Sequence, residues 1–77
     1  MFLEIISPQQ PIFSGEVTEV FLPGKEGNFE ILNDHAPIIS LLQKGEIKVT
    51  KTDGSREAFQ TEQGFVEVLD NKITVLV

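Results

Sequence analysis

The chain has 77 residues, 40% of them hydrophobic, and its 12 acidic and 6 basic residues give a net charge of -6. This charge argues against nucleic-acid binding, because phosphate neutralisation needs clustered Lys and Arg, and it disfavours adsorption to anionic lipid. The absence of cysteine excludes disulfides, thiolate metal sites and a cysteine nucleophile. No apolar run approaches the roughly 20 residues of a membrane-spanning helix. We therefore expect one soluble domain over residues 1–77, without lipid insertion.

The first third of the chain is a series of short β-rich segments separated by turn residues. Pro and Gly end each segment, because neither continues a strand easily and both favour tight turns. The predicted strands are Phe2 to Ile6, Pro11 to Phe13, and Glu16 to Leu22. The predicted interruptions are Ser7-Pro8, Ser14-Gly15, and a loop over Pro23 to Gly27.

The stretch from Gly27 to Gly45 holds the only histidine and predicts a strand, a tight corner and a second strand. The corner is made by Asn33-Asp34, whose side chains bond to nearby backbone and which both tolerate left-handed conformations. Pro37 then pushes Ala36 towards an extended conformation. A tight helical turn near Leu41 to Lys44 is compatible with the sequence.

The last third of the chain predicts two hairpins. Asp53-Gly54 is the strongest short hairpin signal, and Asp70-Asn71 is the second. The strands flanking these turns are Glu46 to Thr50, Arg56 to Thr61, Phe65 to Leu69, and Ile73 to Val77. Ile47 and Val49 alternate with polar residues, and Phe59 is the inward anchor of its strand. Short strands at regular spacing predict an all-β fold, a small antiparallel β-sandwich or flattened barrel of two sheets.

Several of these strands are apolar on both faces. In a two-layer sandwich only one face of each strand meets the core, so the second apolar face is covered either by a partner or by curling and closure of the sheet. The pattern leaves these two explanations open.

The residues that could carry chemistry are isolated. His35 has no second imidazole or thiolate for zinc, and it lacks a partnered pocket for acid-base work, so we interpret it as a histidine bonded to backbone. Gly24 to Gly27 lacks the Gly-Lys-Ser/Thr frame and the helix of a phosphate loop. We predict no catalytic residue and no metal or cofactor site. Glu26, Glu30 and Asp34 fall close together in the sequence, which favours a locally negative corner that meets a basic partner.

The central stretch carries a family resemblance. Its pattern Gly-x-Phe-x-Ile-Leu-x-x-His-Ala-Pro-Ile-Ile-Ser-Leu-Leu-x-x-Gly resembles that of the N-terminal domain of the epsilon subunit of F-type ATP synthases. Further matches lie upstream, from Ile6 to Val17, and downstream, in Gly64 to Val68 and Ile73 to Leu76, so the resemblance covers essentially the whole chain. The family usually has Gly in place of Glu30 and Pro-Gly in place of Asn33-Asp34.

The resemblance implies a β-sandwich in the central stalk of a proton-translocating rotary motor. Such a subunit is not an enzyme; it links the gamma subunit to the c-ring and turns with the rotor during ATP synthesis. Carried over position by position, the resemblance implies c-ring contacts at Glu26, Gly27, Asn28, Phe29 and Glu30. It implies gamma-subunit contacts at Ser7, His35, Pro37 and Ser40.

The resemblance also implies where the protein is located and that it does not bind ATP. We expect a peripheral position on the cytoplasmic side of the bacterial inner membrane. Most epsilon subunits continue into a two-helix hairpin that in some members binds ATP, and this chain stops at Val77, so we expect no ATP binding. The alternative interpretation is a free-standing β-sandwich module for carbohydrate or peptide. That alternative would favour an aromatic platform, and the chain has no Trp or Tyr.

Overall fold

The computed structural model describes residues 1–77 and consists of eight strands without a helix. The strands are β1 (Phe2–Ile6), β2 (Pro11–Gly24), β3 (Gly27–Leu32), β4 (Ile38–Leu42), β5 (Gly45–Lys51), β6 (Arg56–Thr61), β7 (Gly64–Leu69) and β8 (Lys72–Leu76). No helix with the length and hydrophobicity needed to cross a membrane is present.

The strands form two layers that are joined through β2. Strands β1, β8, β7 and β4 lie side by side in the first layer, and β3, β2, β5 and β6 form the second. The first half of β2 pairs with β1, and its second half pairs with β3 and β5. The predicted all-β sandwich is confirmed, and its layers belong to one continuous hydrogen-bonded sheet.

Strand β2 is longer than the sequence suggested. The prediction that Ser14-Gly15 interrupts it is wrong, because these residues pair with Glu4 and Leu3 of β1 and keep the ladder intact. The predicted loop from Pro23 to Gly27 is also too long, since Gly24 pairs with Gly27 and only two residues form the turn. Pairing with neighbouring strands outweighs the weak local preference of these residues.

One strand pair departs from the antiparallel pattern. Strands β1 and β8 run parallel, with Phe2 opposite Lys72 and Ile6 opposite Leu76. Parallel neighbours cannot be joined by a tight hairpin and need a long connection. Here the connection is the remainder of the domain, so no local signal in either strand indicates the pairing.

Both predicted hairpins are confirmed. Asp70 and Asn71 have φ angles of 50° and 60°, the left-handed pair expected of a type I′ turn between β7 and β8. Gly54, with a φ of 87°, lies in the longer turn between β5 and β6. No helical turn forms near Leu41, which is in β4.

A single hydrophobic core lies between the layers. Side chains alternate along each strand, so every second residue faces inwards. The core contains 13 buried residues: Leu3, Ile5, Val17, Val20, Leu22, Ile31, Leu42, Ile47, Val49, Val66, Val68, Ile73 and Val75. Phe59 is half-buried against it, with its ring centroid 5.7 Å from that of Phe13. The core leaves no buried side-chain polar atom unpaired.

Candidate docking surfaces

The outer face of the first layer carries an apolar row. Cross-strand pairing aligns Leu41 with Phe65, Phe65 with Leu76, and Leu76 with Ile6, so these four side chains cross β4, β7, β8 and β1 in one line. Leu41 is 54% exposed and Leu76 is 47% exposed, while Ile39, beside the row, is 66% exposed. The domain itself does not bury this face. Contiguous exposed apolar side chains are typical of protein contact surfaces.

Three of the predicted gamma contacts lie at the ends of this outer face. His35 and Pro37 are in the corner between β3 and β4, and Ser7 follows β1. Ser7 is held by its hydroxyl, which donates to the carbonyl oxygen of Gln10 at 2.9 Å and accepts from the Gln10 amide at 3.2 Å. The corner lies beside the start of β1, so the length of that strand, roughly 17 Å, separates Ser7 from it.

The corner holds His35 without an acid-base partner. The His35 Nδ1 lies 2.7 Å from the carbonyl oxygen of Ala36, so this nitrogen donates its proton to the backbone. The ring is half-buried. No group of three or more His, Cys, Asp or Glu side chains is close enough to hold a metal ion. The geometry suits a contact residue.

The turn between β2 and β3 brings the predicted c-ring contacts together. Lys25 and Glu26 form its exposed tip, and Gly27 has a φ of 133° that favours glycine. An open groove of about 540 Å³ runs beside this turn, and Phe29 and Ser40 line it. Ser40 and its neighbour Leu41 both line this groove, so the structure places Ser40 beside the β2–β3 turn.

The prediction that Glu26, Glu30 and Asp34 form one acidic cluster is wrong. Glu26 and Asp34 lie beyond opposite ends of β3, which is six residues long and therefore roughly 20 Å. Glu30 lies between them, opposite Phe21 of β2, and its carboxyl group interacts with that of its diagonal neighbour Glu19. Their hydrogen bond raises the pKa of Glu30, helped by burial and by the negative charge of Glu19, and the same bond lowers the pKa of Glu19. Glu26 is thus the exposed acidic residue at the turn.

Three features were missed at the sequence level. The apolar row depends on the registers of four strands, and only the poor alternation of β1, β7 and β8 hinted at it. The Glu19–Glu30 pair requires the β2–β3 register. Asn71 contacts the His35 corner from 37 residues away, and no local signal indicates this contact.

The comparison with protein families is decisive for membership. The profile described as the β-sandwich domain of the ATP synthase delta/epsilon chain matches residues 1–77. The chain belongs to this family. A relative from Chlorobium limicola named ATP synthase epsilon chain is 45% identical over 74 residues, which cover 96% of this chain and 84% of the relative. A relative of the same name from a Sulfurovum species is 44% identical over 77 residues, covering 100% of this chain and 60% of the relative.

Chains in two solved structures share the fold. A chain of the Euglena gracilis mitochondrial ATP synthase, in a structure of OSCP, F1 and c-ring, superposes with a TM-score of 0.90 at 21% identity, over 97% of this chain and 48% of that one. A chain of the central stalk and c-ring structure of the Tetrahymena thermophila mitochondrial ATP synthase gives 0.83 at 17% identity, over 99% and 61%. The same fold therefore occurs in chains of low sequence identity to this one.

Proposed function

We propose that this epsilon-family domain is a non-catalytic rotor element in the central stalk of a proton-translocating F-type ATP synthase, where it links the gamma subunit to the c-ring. The observation that carries the proposal is the family match over all of residues 1–77. The names of the relatives and the central-stalk setting of one structural neighbour support it. The alternative of a carbohydrate or peptide module has no comparable support.

The architecture suits a part that transmits torque. Both layers belong to one hydrogen-bonded sheet, so a force applied at one end is carried by backbone hydrogen bonds as well as by the core. Interiors packed at this density are poorly compressible and transmit strain. The domain acts as a mechanical link, and the catalysis of ATP synthesis belongs to other subunits.

The outer face of the first layer is the gamma side in this proposal. It offers Ile39 and Leu41 as exposed apolar contacts, with His35 and Pro37 at one end and Ser7 at the other. Burying such side chains against a partner removes apolar surface from water, which is the main favourable term in association. Ser40 contributes to the groove beside the β2–β3 turn.

Replacing Ile39 and Leu41 together by Ser tests the gamma side. Both side chains are more than half exposed, so we expect unfolding free energy to change by about 0.5 kcal/mol or less per site. Affinity for the purified cognate gamma subunit, measured by calorimetry, should fall about 10-fold or more, because covering the exposed half of an Ile or Leu side chain removes apolar surface worth about 1 kcal/mol from water. The matched control is Phe21→Ser, which removes an exposed apolar side chain from the other layer. Equal losses in both variants, or no binding by the folded wild type, would contradict the proposal.

Glu26 is the test of the c-ring side. Its carboxylate lies at the tip of the β2–β3 turn and provides complementary charge for a basic ring loop. We expect Glu26→Lys to weaken assembly with c-ring in membranes and to reduce its salt dependence, because exposed charges are screened by salt. Glu57→Lys, which loses only a surface contact with Lys51, is the control. Unchanged assembly and salt response of Glu26→Lys would exclude this contact.

The proposed location follows from the assembly. Relatives from Chlorobium limicola and Campylobacter fetus carry the epsilon chain name, and both organisms are bacteria. We infer a peripheral position on the cytoplasmic side of a bacterial inner membrane, reached through the stalk and the ring. The net charge of -6 favours attachment through protein contacts over attachment to anionic lipid.

A further inference from the structure

Two hydrogen bonds join Asp34, in the His35 corner, to Asn71, in the β7–β8 turn. The backbone amide of Asp34 donates to the Asn71 Oδ1 at 2.7 Å, and the Asn71 Nδ2 donates to the Asp34 Oδ1 at 2.9 Å. The pair is reciprocal, since each residue both donates and accepts. It spans 37 residues of sequence, so it ties two turns that are otherwise independent.

The two residues differ in how firmly their backbones are held. Asn71 is in a two-residue turn between paired strands, and its carbonyl oxygen accepts from the Phe2 amide at 2.9 Å. Asp34 is in a corner outside the strands and has a φ of 64°, a left-handed conformation that is costly for most L-residues. Asn71 is therefore anchored by its own turn, and it holds Asp34 in place.

We infer that Asn71 is a positioning residue for the His35 corner: it holds Asp34 in its left-handed conformation and thereby sets the direction in which His35 and Pro37 project. On the other side of the corner, the Asn33 Oδ1 accepts from the Met1 ammonium at 2.9 Å, so the corner is held from two directions. The consequence for gamma binding rests on the proposed function, whereas the ordering of the corner does not.

Asn71→Gly separates the role of residue 71 in the β7–β8 turn from its hydrogen bonds to Asp34. The turn would become Asp-Gly, which is a preferred type I′ sequence, so the β7–β8 hairpin is kept while both bonds to Asp34 are lost. We expect hydrogen exchange at the Asp34 amide to accelerate about 10-fold or more, and the His35 ring resonances to shift. Amide exchange in the core strands should stay unchanged. Gamma affinity should fall about 3-fold to 10-fold, since a mobile corner must be ordered on binding.

Exchanging the Asp and Asn side chains between positions 34 and 71 should restore the two hydrogen bonds. Asn71→Asp would place two carboxylates in contact at neutral pH and should loosen the corner, and protonation of the pair at acidic pH should tighten it again. Combining Asn71→Asp with Asp34→Asn exchanges the donor and acceptor side chains, so we expect slow exchange at position 34 and full gamma affinity to return. Asp34→Asn alone is the mild control, because its amide oxygen still accepts from Asn71.

The outcomes are distinguishable. Unchanged Asp34 exchange and His35 resonances in Asn71→Gly would overturn the positioning role, whatever happens to binding. A loosened corner with normal gamma affinity would uphold the positioning role and remove the corner from the gamma contact. If the folded wild type does not bind the gamma subunit, the proposed function is wrong. Hydrogen exchange at the Asp34 amide would still test the role of Asn71.

Discussion

At the scale of single residues, Glu19 and Glu30 shift each other's pKa in opposite directions. The pKa of Glu30 is raised above the ordinary 4.5 by its hydrogen bond with Glu19, by burial and by like charge. The pKa of Glu19 is lowered by the same bond and by the hydroxyl of Thr50, which donates to its carboxylate at 3.2 Å. Glu30 therefore contributes stability below 4.5 that is lost as pH rises through its folded-state pKa, and Glu19 has the opposite dependence.

This pair predicts a pH-dependent effect of Glu30→Gln. The Gln side chain keeps a hydrogen-bond donor for Glu19 but carries no charge, so the repulsion that develops above pH 4.5 in the wild type is absent. We expect the urea midpoint of the variant to rise relative to the wild type between pH 4.5 and pH 7. Glu67→Gln, on the first layer, should show no such trend. A constant difference in urea midpoint between variant and wild type across this range would contradict the raised pKa of Glu30.

Some features of the candidate site were predictable from the sequence and others were not. Bonding of the His35 ring to backbone was predictable, because one imidazole without partners leaves few other roles. The position of Glu26 relative to Asp34 was not, because residues eight apart are close in sequence yet lie beyond the two ends of a strand. Asn71 could be assigned only once the β7–β8 turn was placed beside the corner.

At the scale of elements, the β2–β3 hairpin depends on the small size of Gly24. A Cβ atom at this position would overlap the carbonyl oxygen of Gly27 and lie 2.7 Å from the Phe29 ring. The close approach of β2 and β3 leaves no room for a Cβ atom, so only glycine fits at position 24 without displacing its neighbours.

Gly24→Ala should therefore destabilise the domain by about 1–3 kcal/mol, the usual cost of overpacking. The displaced Phe29 ring should also change its aromatic resonances. Gly15→Ala is the matched control, since its Cβ would meet only the Phe13 ring at an ordinary 3.6 Å. Its effect should be within about 1 kcal/mol of zero, because alanine restricts the unfolded chain. Urea unfolding of both variants decides the matter, and equal midpoints would contradict the steric argument.

Elements with strong local signals were predicted well. The strands flanking Asp53-Gly54 and Asp70-Asn71 were predicted to within about two residues, because the turn residues fix where each strand ends and, in β5, the alternation agrees with them. Strand β2 was divided wrongly at Ser14-Gly15, where local preference favours a break and pairing with β1 maintains the strand. Its length reflects neighbours that are distant in the sequence.

At the scale of the whole molecule, the layered architecture was predictable and its connectivity was not. Regular strand spacing and the all-β composition indicate a sandwich, since such strands must bury one face each. The passage of β2 between layers and the parallel β1–β8 pair depend on contacts over the length of the chain. The exposed row from Leu41 to Ile6 is a product of that connectivity, which explains why the docking face could be suspected but not located.

The parallel pairing of the first and last strands has a kinetic consequence. Each residue of β1 pairs with a residue of β8 that lies 70 positions later in the sequence, which gives the domain a high contact order. All-β domains with such distant pairings fold in milliseconds to seconds, because the entropy of loop closure is lost before the contacts that compensate for it form. During synthesis, β1 must therefore remain unpaired on that side until Lys72 to Leu76 leave the ribosome, so this part of the sheet is completed late.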